Sequence, residues 1–198
     1  MNNLLINAGF EDGDIFAECN SAETTSGKTK GWSFRLTKCA YIRSEANRMF
    51  QFGPSGIPDV KEGRNALFAG TRIGGDFTVC QEARITSGKP YHASAWVRAY
   101  DADGQGFGVS GRDYAGFRIE EHDRLGFIVS SHAGNYLMAC NEKYALLEES
   151  FVTSELSASV MFILEAAISC NHWHGCVRFD NCSLTEDGEC ADEQPESM

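Results

Sequence analysis

Histidine and cysteine alternate in the run CNHWHGC, where Cys170, His172, His174 and Cys176 place soft-metal ligands at every second position. One tight loop rarely aims four ligands at one ion, and C-x-x-C spacing is absent, so a bridged hairpin tip with surface histidines competes with a metal site. Gly106, Gly108 and Gly111 fit G-x-G-x-x-G. A dinucleotide site also needs a helix N-terminus next, and the following RDYAGFRIEEHD reads as loop and strand. Glu120, Glu121 and Asp123 gather carboxylates of the kind glycoside hydrolysis uses in pairs. Neighbouring strand residues point to opposite faces, so a solvated turn explains them more simply. No G-x-x-x-x-G-K-[ST] and no H-E-x-x-H occurs, and Ser110 lacks the glycine of a nucleophile elbow.

Binding chemistry is better represented. Tyr91, Ala93, Ala95 and Val97 alternate with His92, Ser94, Trp96 and Arg98. The small and apolar set belongs in a core, which sends Trp96, Arg98 and His92 to the other face. An indole beside a guanidinium, an imidazole and a hydroxyl suits a sugar: its C–H face stacks on the ring and its hydroxyls meet directional partners. Packing of Trp96 under a loop is the competing reading. Arg118 and Glu120 lie on the polar side of a strand expected beside this one, where they could flank a cleft or form a solvated face.

The elements that must position these residues are strands. Phe117 and Ile119 alternate with polar residues, and the 158–166 stretch is apolar on both faces, as in a central strand. Residues 177–184 alternate as well. Glycine breaks fall at 74–75, 104–111, 134 and 175. Only 44–50 and 142–149 could hold a helical turn or two. Short strands with glycine turns point to an all-β sandwich or barrel. The acidic stretch 186–198 reads as a linker or tail.

Composition narrows the partners. The 198 residues carry 17 Lys plus Arg against 28 Asp plus Glu, a net charge of -11. Such a surface repels phosphate backbones and anionic lipid, which excludes nucleic acid and membrane as expected partners, and it suits neutral ligands or cations. No apolar run reaches the ~18 residues of a membrane span, and MNNLLINAGFEDG does not read as a signal peptide. The chain reads as a cytosolic protein or a module of a longer secreted one. Eight cysteines (Cys19, Cys39, Cys80, Cys140, Cys170, Cys176, Cys182 and Cys190) read as disulfides in an oxidising compartment or as buried thiols. Cys170 and Cys176 are the best local pair; Cys80 and Cys182 sit in strand patterns and suit a core. The sequon at Asn181 lies inside a strand, where use is not expected.

Several pieces then fit together in order: N-x-GFE-x-G at Asn7 to Gly13, GW at Gly31-Trp32, EGRNAL at Glu62 to Leu67, Gln81 ahead of G-x-x-Y-x-x-S-A-W-V-R-A, and the closing FDN-x-SL at Phe179 to Leu184. In these the sequence resembles carbohydrate-binding modules of families four, nine, sixteen and twenty-two, over Asn3 to Thr185. The resemblance implies an antiparallel β-sandwich jelly roll of the galactose-binding-domain type, with residues 1–185 as the module. It implies that an aromatic at the Trp96 position lines the cleft and that Gln81 meets sugar hydroxyls; Trp32 of the GW pair either lines the cleft edge or plugs the sandwich. The parity of Gln81 with Val79 and Ala83 points it inward unless a bulge intervenes. The resemblance further implies a structural Ca²⁺ on Glu11 and Asp180 with main-chain oxygens of Gly9 and Glu62; an ion pair with Arg64 or Lys61 is the alternative.

The resulting expectation is a secreted, non-catalytic module of a larger multidomain protein, itself monomeric, that binds a polysaccharide or oligosaccharide. The alternatives are a jelly-roll lyase or hydrolase built on His92, Arg98 and Glu120, and a protein-binding adhesive module.

Overall fold

The computed structural model describes residues 2–12, 16–19, 24–29, 31–37, 40–46, 60–71, 74–99, 112–139, 141, 143–169 and 172–187. Among the described residues twelve strands run in order: β1 (Phe16–Glu18), β2 (Thr25–Thr29), β3 (Trp32–Leu36), β4 (Ala40–Ala46), β5 (Asn65–Thr71), β6 (Gly75–Arg84), β7 (Pro90–Ala99), β8 (Tyr114–His122), β9 (Ile128–Leu137), β10 (Ala145–Val152), β11 (Ser159–Ile168) and β12 (His172–Glu186). They form two six-stranded antiparallel sheets, β1-β4-β5-β12-β7-β10 (sheet A) and β2-β3-β6-β11-β8-β9 (sheet B). The chain is thus the expected all-β jelly-roll sandwich. Among the described residues there is no helix: 44–46 and 145–149, read as possible helical turns, are strand.

Side-chain parity builds the core. Tyr91, Ala93, Ala95 and Val97 of β7 face inward and are buried, as their alternation requires. β11 lies between β6 and β8; Val160, Phe162 and Leu164 face the core, and Ile163 on its other face is buried as well. Phe162 stacks on Phe117 at 5.1 Å, and Phe77 of sheet B meets Phe179 of sheet A edge-on at 5.9 Å.

Residues 3–12 close one side without forming a strand. Leu4 donates its backbone N–H to Leu184, and Asn3 holds the Cys182 carbonyl and the Leu184 N–H. Phe10, at a left-handed φ of 58°, drops its ring into the core 5.3 Å from that of Trp32. Leu5 and Phe10 therefore belong to the interior, each contributing roughly 1.5–3 kcal/mol. The first and last strands do not pair, since β1 pairs with β4; the segment ahead of β1 is the part that docks along β12.

A bulge breaks β12 between Asp180 and Ser183, with Asn181 at φ 43°. It lets Phe179, Cys182 and Leu184 all point inward while Asp180 points out. Described Cys80 and Cys182 are free thiols. The candidate disulfide and metal loop at 170–176 falls outside the described side chains. β11 and β12 belong to different sheets.

Candidate ligand-binding face

The strand order separates residues expected to share one cleft. β7 has β12 and β10 as neighbours, while β8 lies in the other sheet. Trp96, His92 and Arg98 therefore stand on the outer face of sheet A, and Arg118 and Glu120 on the outer face of sheet B. An enzyme site joining His92, Arg98 and Glu120 is not assembled.

On sheet A, Trp96 lies outside the core and is half-buried. The Lys61 ammonium sits 4.0 Å from its ring centroid, on the π face a sugar would need. Arg98 is buried opposite Arg178 in register, and the Arg178 guanidinium lies 4.9 Å from the Phe68 ring. His92 is spent on Glu148 at 3.3 Å and on the Ser150 hydroxyl at 3.0 Å. The sheet A group is therefore a packed and paired surface.

Sheet B is different. Its register sets Ser33, Cys80, Ile163, Arg118 and Ala133 in one row across five strands. The next row is Arg35, Thr78, Glu165, Gly116 and Tyr136. Gly116 has no side chain, so Tyr136 reaches over it and donates its hydroxyl to Glu165 Oε1 at 2.5 Å. Tyr114 meets the Tyr136 ring edge-on at 5.5 Å. Arg118 Nε donates to Glu165 Oε2 at 3.2 Å, and its terminal nitrogen donates to Glu120. Glu120 in turn lies 3.5 Å from His122 Nε2. Two phenols, one guanidinium and two carboxylates thus share a floor of Gly116, Ala133 and Ala167.

The electrostatics derive from that packing. Burial would lower the Arg118 pKa, but hydrogen bonds and charge from Glu120 and Glu165 raise it on balance. Burial first, and then Glu165, push the Tyr136 and Tyr114 hydroxyls up. Both stay neutral donors at physiological pH. Burial, reinforced by Glu120, raises the Cys80 thiol.

At the other end of this face lies an open depression of about 460 Å³, lined by Lys28, Gly31, Trp32, Ser33, Gln81, Glu82 and Met161. Trp32 is 1% exposed and serves as a plug against Phe10 and Phe162. Gln81 points inward, as its parity requires, and its amide is spent at both ends on Ile6, accepting from its N–H at 2.5 Å and donating to its carbonyl at 2.9 Å. Both residues shape the base of the depression, and Gln81 pins the amino-terminal segment where the resemblance implied contact with sugar hydroxyls.

The carboxylates implied for calcium do converge. Asp180 is 0% exposed and accepts backbone N–H bonds from Lys61 at 2.8 Å, Glu62 at 3.0 Å and Asn181 at 2.7 Å. Glu11 Oε1 accepts from Arg64 and Asn65. A Cβ on Gly9 would lie 3.7 Å from Glu11 Cγ and 3.9 Å from Asp180 Oδ1, so this glycine sits between the two acids. Gly63, at φ 71°, has no room for a side chain beside Glu11. Among the described residues neither acid pairs with a lysine or arginine side chain; Lys61 and Arg64 contribute only backbone N–H groups. Burial, against the three N–H bonds and with the Glu11 charge adding to it, pushes the Asp180 pKa to about 6. Among the described residues no three His, Cys, Asp or Glu form a metal cluster. The two carboxylates are hard oxygen donors of the kind calcium takes, and each also accepts backbone N–H bonds.

No protein-family model matches the chain, and no curated protein matches it. Solved structures do. A cyclase from Fischerella sp. TAU, in complex with 4-(1H-indol-3-yl)butan-2-one, is 17% identical at a TM-score of 0.57, covering 94% of this chain and 98% of that one. The enzymatically active domain of bacteriophage CBA120 tailspike protein 4 is 9% identical at a TM-score of 0.53, covering 93% of this chain; the present chain spans 21% of its length. The CBM22-1 xylan-binding domain of Paenibacillus barcinonensis Xyn10C is 12% identical at a TM-score of 0.49, over 85% of this chain and 97% of that one. At these identities the similarity to the cyclase and the tailspike is one of fold.

Proposed function

We propose that this chain is a non-catalytic, glycan-binding β-sandwich module whose ligand lies across the outer face of sheet B. The observation that carries the reading is the Tyr114–Tyr136 pair set against Arg118, Glu120 and Glu165 over a floor of small residues. Phenol rings offer an apolar surface to pyranose C–H groups, and the carboxylate oxygens offer acceptors to sugar hydroxyls. Six strands at about 4.8 Å spacing give a face roughly 24 Å wide, enough for several linked sugars, ending at the depression beside Lys28. Support also comes from the ordered resemblance to carbohydrate-binding modules between Asn3 and Thr185.

The same proposal assigns a structural Ca²⁺ to Glu11 and Asp180, with Gly9 and Glu62 main-chain oxygens. The buried Asp180, which has no Lys or Arg side-chain partner among the described residues, supports it, and the ion would bind residues 9–11, the 61–65 turn and β12 together. It supplies charge neutralisation there and no chemistry.

Affinity gel electrophoresis on neutral plant and algal glycans tests the reading. Retardation that Tyr136→Ala abolishes and Trp96→Ala spares is the expected result. Retardation by no glycan would overturn it, and release of reducing or unsaturated sugar ends would replace it with an enzyme.

A further inference from the structure

We propose that Glu120 and Glu165 are specificity determinants that keep acidic glycans off the sheet B face by occupying the guanidinium of Arg118. This inference rests on the glycan reading above and names the class of sugar the face accepts.

A uronate or sulfate ligand needs a cation with donors to spare, and an arginine meets it best with two parallel N–H groups. Arg118 is a cation close to the tyrosine pair, sharing its row with Ala133 and lying next to the Gly116–Tyr136 row. Its Nε donates to Glu165 at 3.2 Å and a terminal nitrogen donates to Glu120. Each two-donor fork that would grip an acidic sugar, Nε with Nη2 or Nη1 with Nη2, has already given one of its members to a carboxylate of the protein. One guanidinium against two carboxylates leaves the group one unit negative. Tyr136 adds no free donor, because its hydroxyl is given to Glu165. A neutral sugar meets none of these barriers, since its hydroxyls donate to the remaining carboxylate lone pairs. An acidic sugar meets like charge and an occupied partner.

Glutamine has nearly the shape of glutamate and keeps an acceptor for Tyr136 and Arg118 while removing the charge. Glu120→Gln combined with Glu165→Gln changes the group from one negative to one positive. Affinity electrophoresis of the full chain is run in gels containing either a neutral glycan panel or polygalacturonate, at low and moderate salt. The expected result is retardation of the unsubstituted protein by a neutral glycan only. The double variant should gain retardation by polygalacturonate, with a dissociation constant at least about tenfold tighter and weakening as salt rises. Glu120→Gln alone, which leaves the Tyr136 hydrogen bond untouched, should give part of the gain and covers the case in which the double variant misfolds.

Retardation of the unsubstituted protein by polygalacturonate would overturn the inference while leaving the glycan reading standing. So would folded variants that still bind neutral glycan and gain nothing on polygalacturonate. Retardation by no glycan at all would overturn both.

Discussion

Tyr136 and Glu165 come from strands that are not neighbours, yet they meet because glycine stands between them: β8 separates β9 from β11, and at Gly116 it offers no side chain to block the reach. The phenol is held by this bond beside Tyr114, so the aromatic surface is set before any ligand arrives.

Tyr136→Phe keeps the ring and removes the donor. Stability should fall by about 1 kcal/mol in urea unfolding. Glycan retardation should weaken without vanishing, because stacking survives. Tyr136→Ala should remove it. Equal loss from both variants would mean that the hydroxyl, and not the ring, carries binding.

Asp180 links the calcium proposal to pH. Its folded pKa of about 6 lies above the ordinary 3.8. The folded state therefore holds a proton that the unfolded state releases. Without a cation, stability should decline as pH rises from about 4 to 6, by roughly 3 kcal/mol in all. A cation competes with that proton. Chelation should therefore lower the melting temperature at pH 7.5 more than at pH 5, and added Ca²⁺ should restore it. A melt indifferent to chelator at both values would remove the ion.

Glu121 gives the opposite sign. It is 1% exposed, lies 2.6 Å from His132 Nε2, and accepts bonds from the Ser154 N–H at 2.7 Å and the Ser157 hydroxyl. Burial works against ionisation, but His132, Ser157 and Ser154 outweigh it and lower the pKa below 4.5. Its contribution is present above the unfolded value and is lost as pH falls through the depressed one. Glu121→Ala should cost about 3 kcal/mol at pH 7, since it strands buried donors, and the gap to the parent should narrow at pH 3. Urea unfolding at the two pH values measures both.

Thiol counting separates compartments and tests the face. Cys19 and Cys182 are buried and should resist a bulky thiol reagent in the folded chain, whereas half-exposed Cys80 should react slowly. A label on Cys80 stands in the row of Arg118 and should block glycan retardation. Eight reactive thiols in denaturant would contradict the expectation from the sequence that the module is secreted.

Much of the fold was readable because strand parity is a strong signal where one face is apolar. β7 shows this, with Tyr91, Ala93, Ala95 and Val97 all turned inward, and the doubly apolar β11 lies at the centre of its sheet. Parity says nothing about which sheet a strand joins, so Arg118 and Glu120 were expected beside Trp96 and stand on the opposite side of the sandwich. Nor does it foresee that Lys61 covers the indole, since that contact joins distant residues. Glu165 did leave a mark: a single carboxylate in the apolar run 160–168 must serve the face away from the core. Tyr136 left less, because the β8–β9 register shifts between Gly116 and Arg118 and its side cannot be counted along the strand.

The amino-terminal segment has a practical consequence. Leu5 and Phe10 fill the sandwich from a stretch that has no sheet ladder of its own and is moored by Asn3 and Gln81. A protease cut near residue 13 would uncork the interior between the two sheets, and a synthetic peptide carrying residues 2–12 could slide back into the gap and restore it, which makes this protein a natural candidate for reconstitution from two fragments.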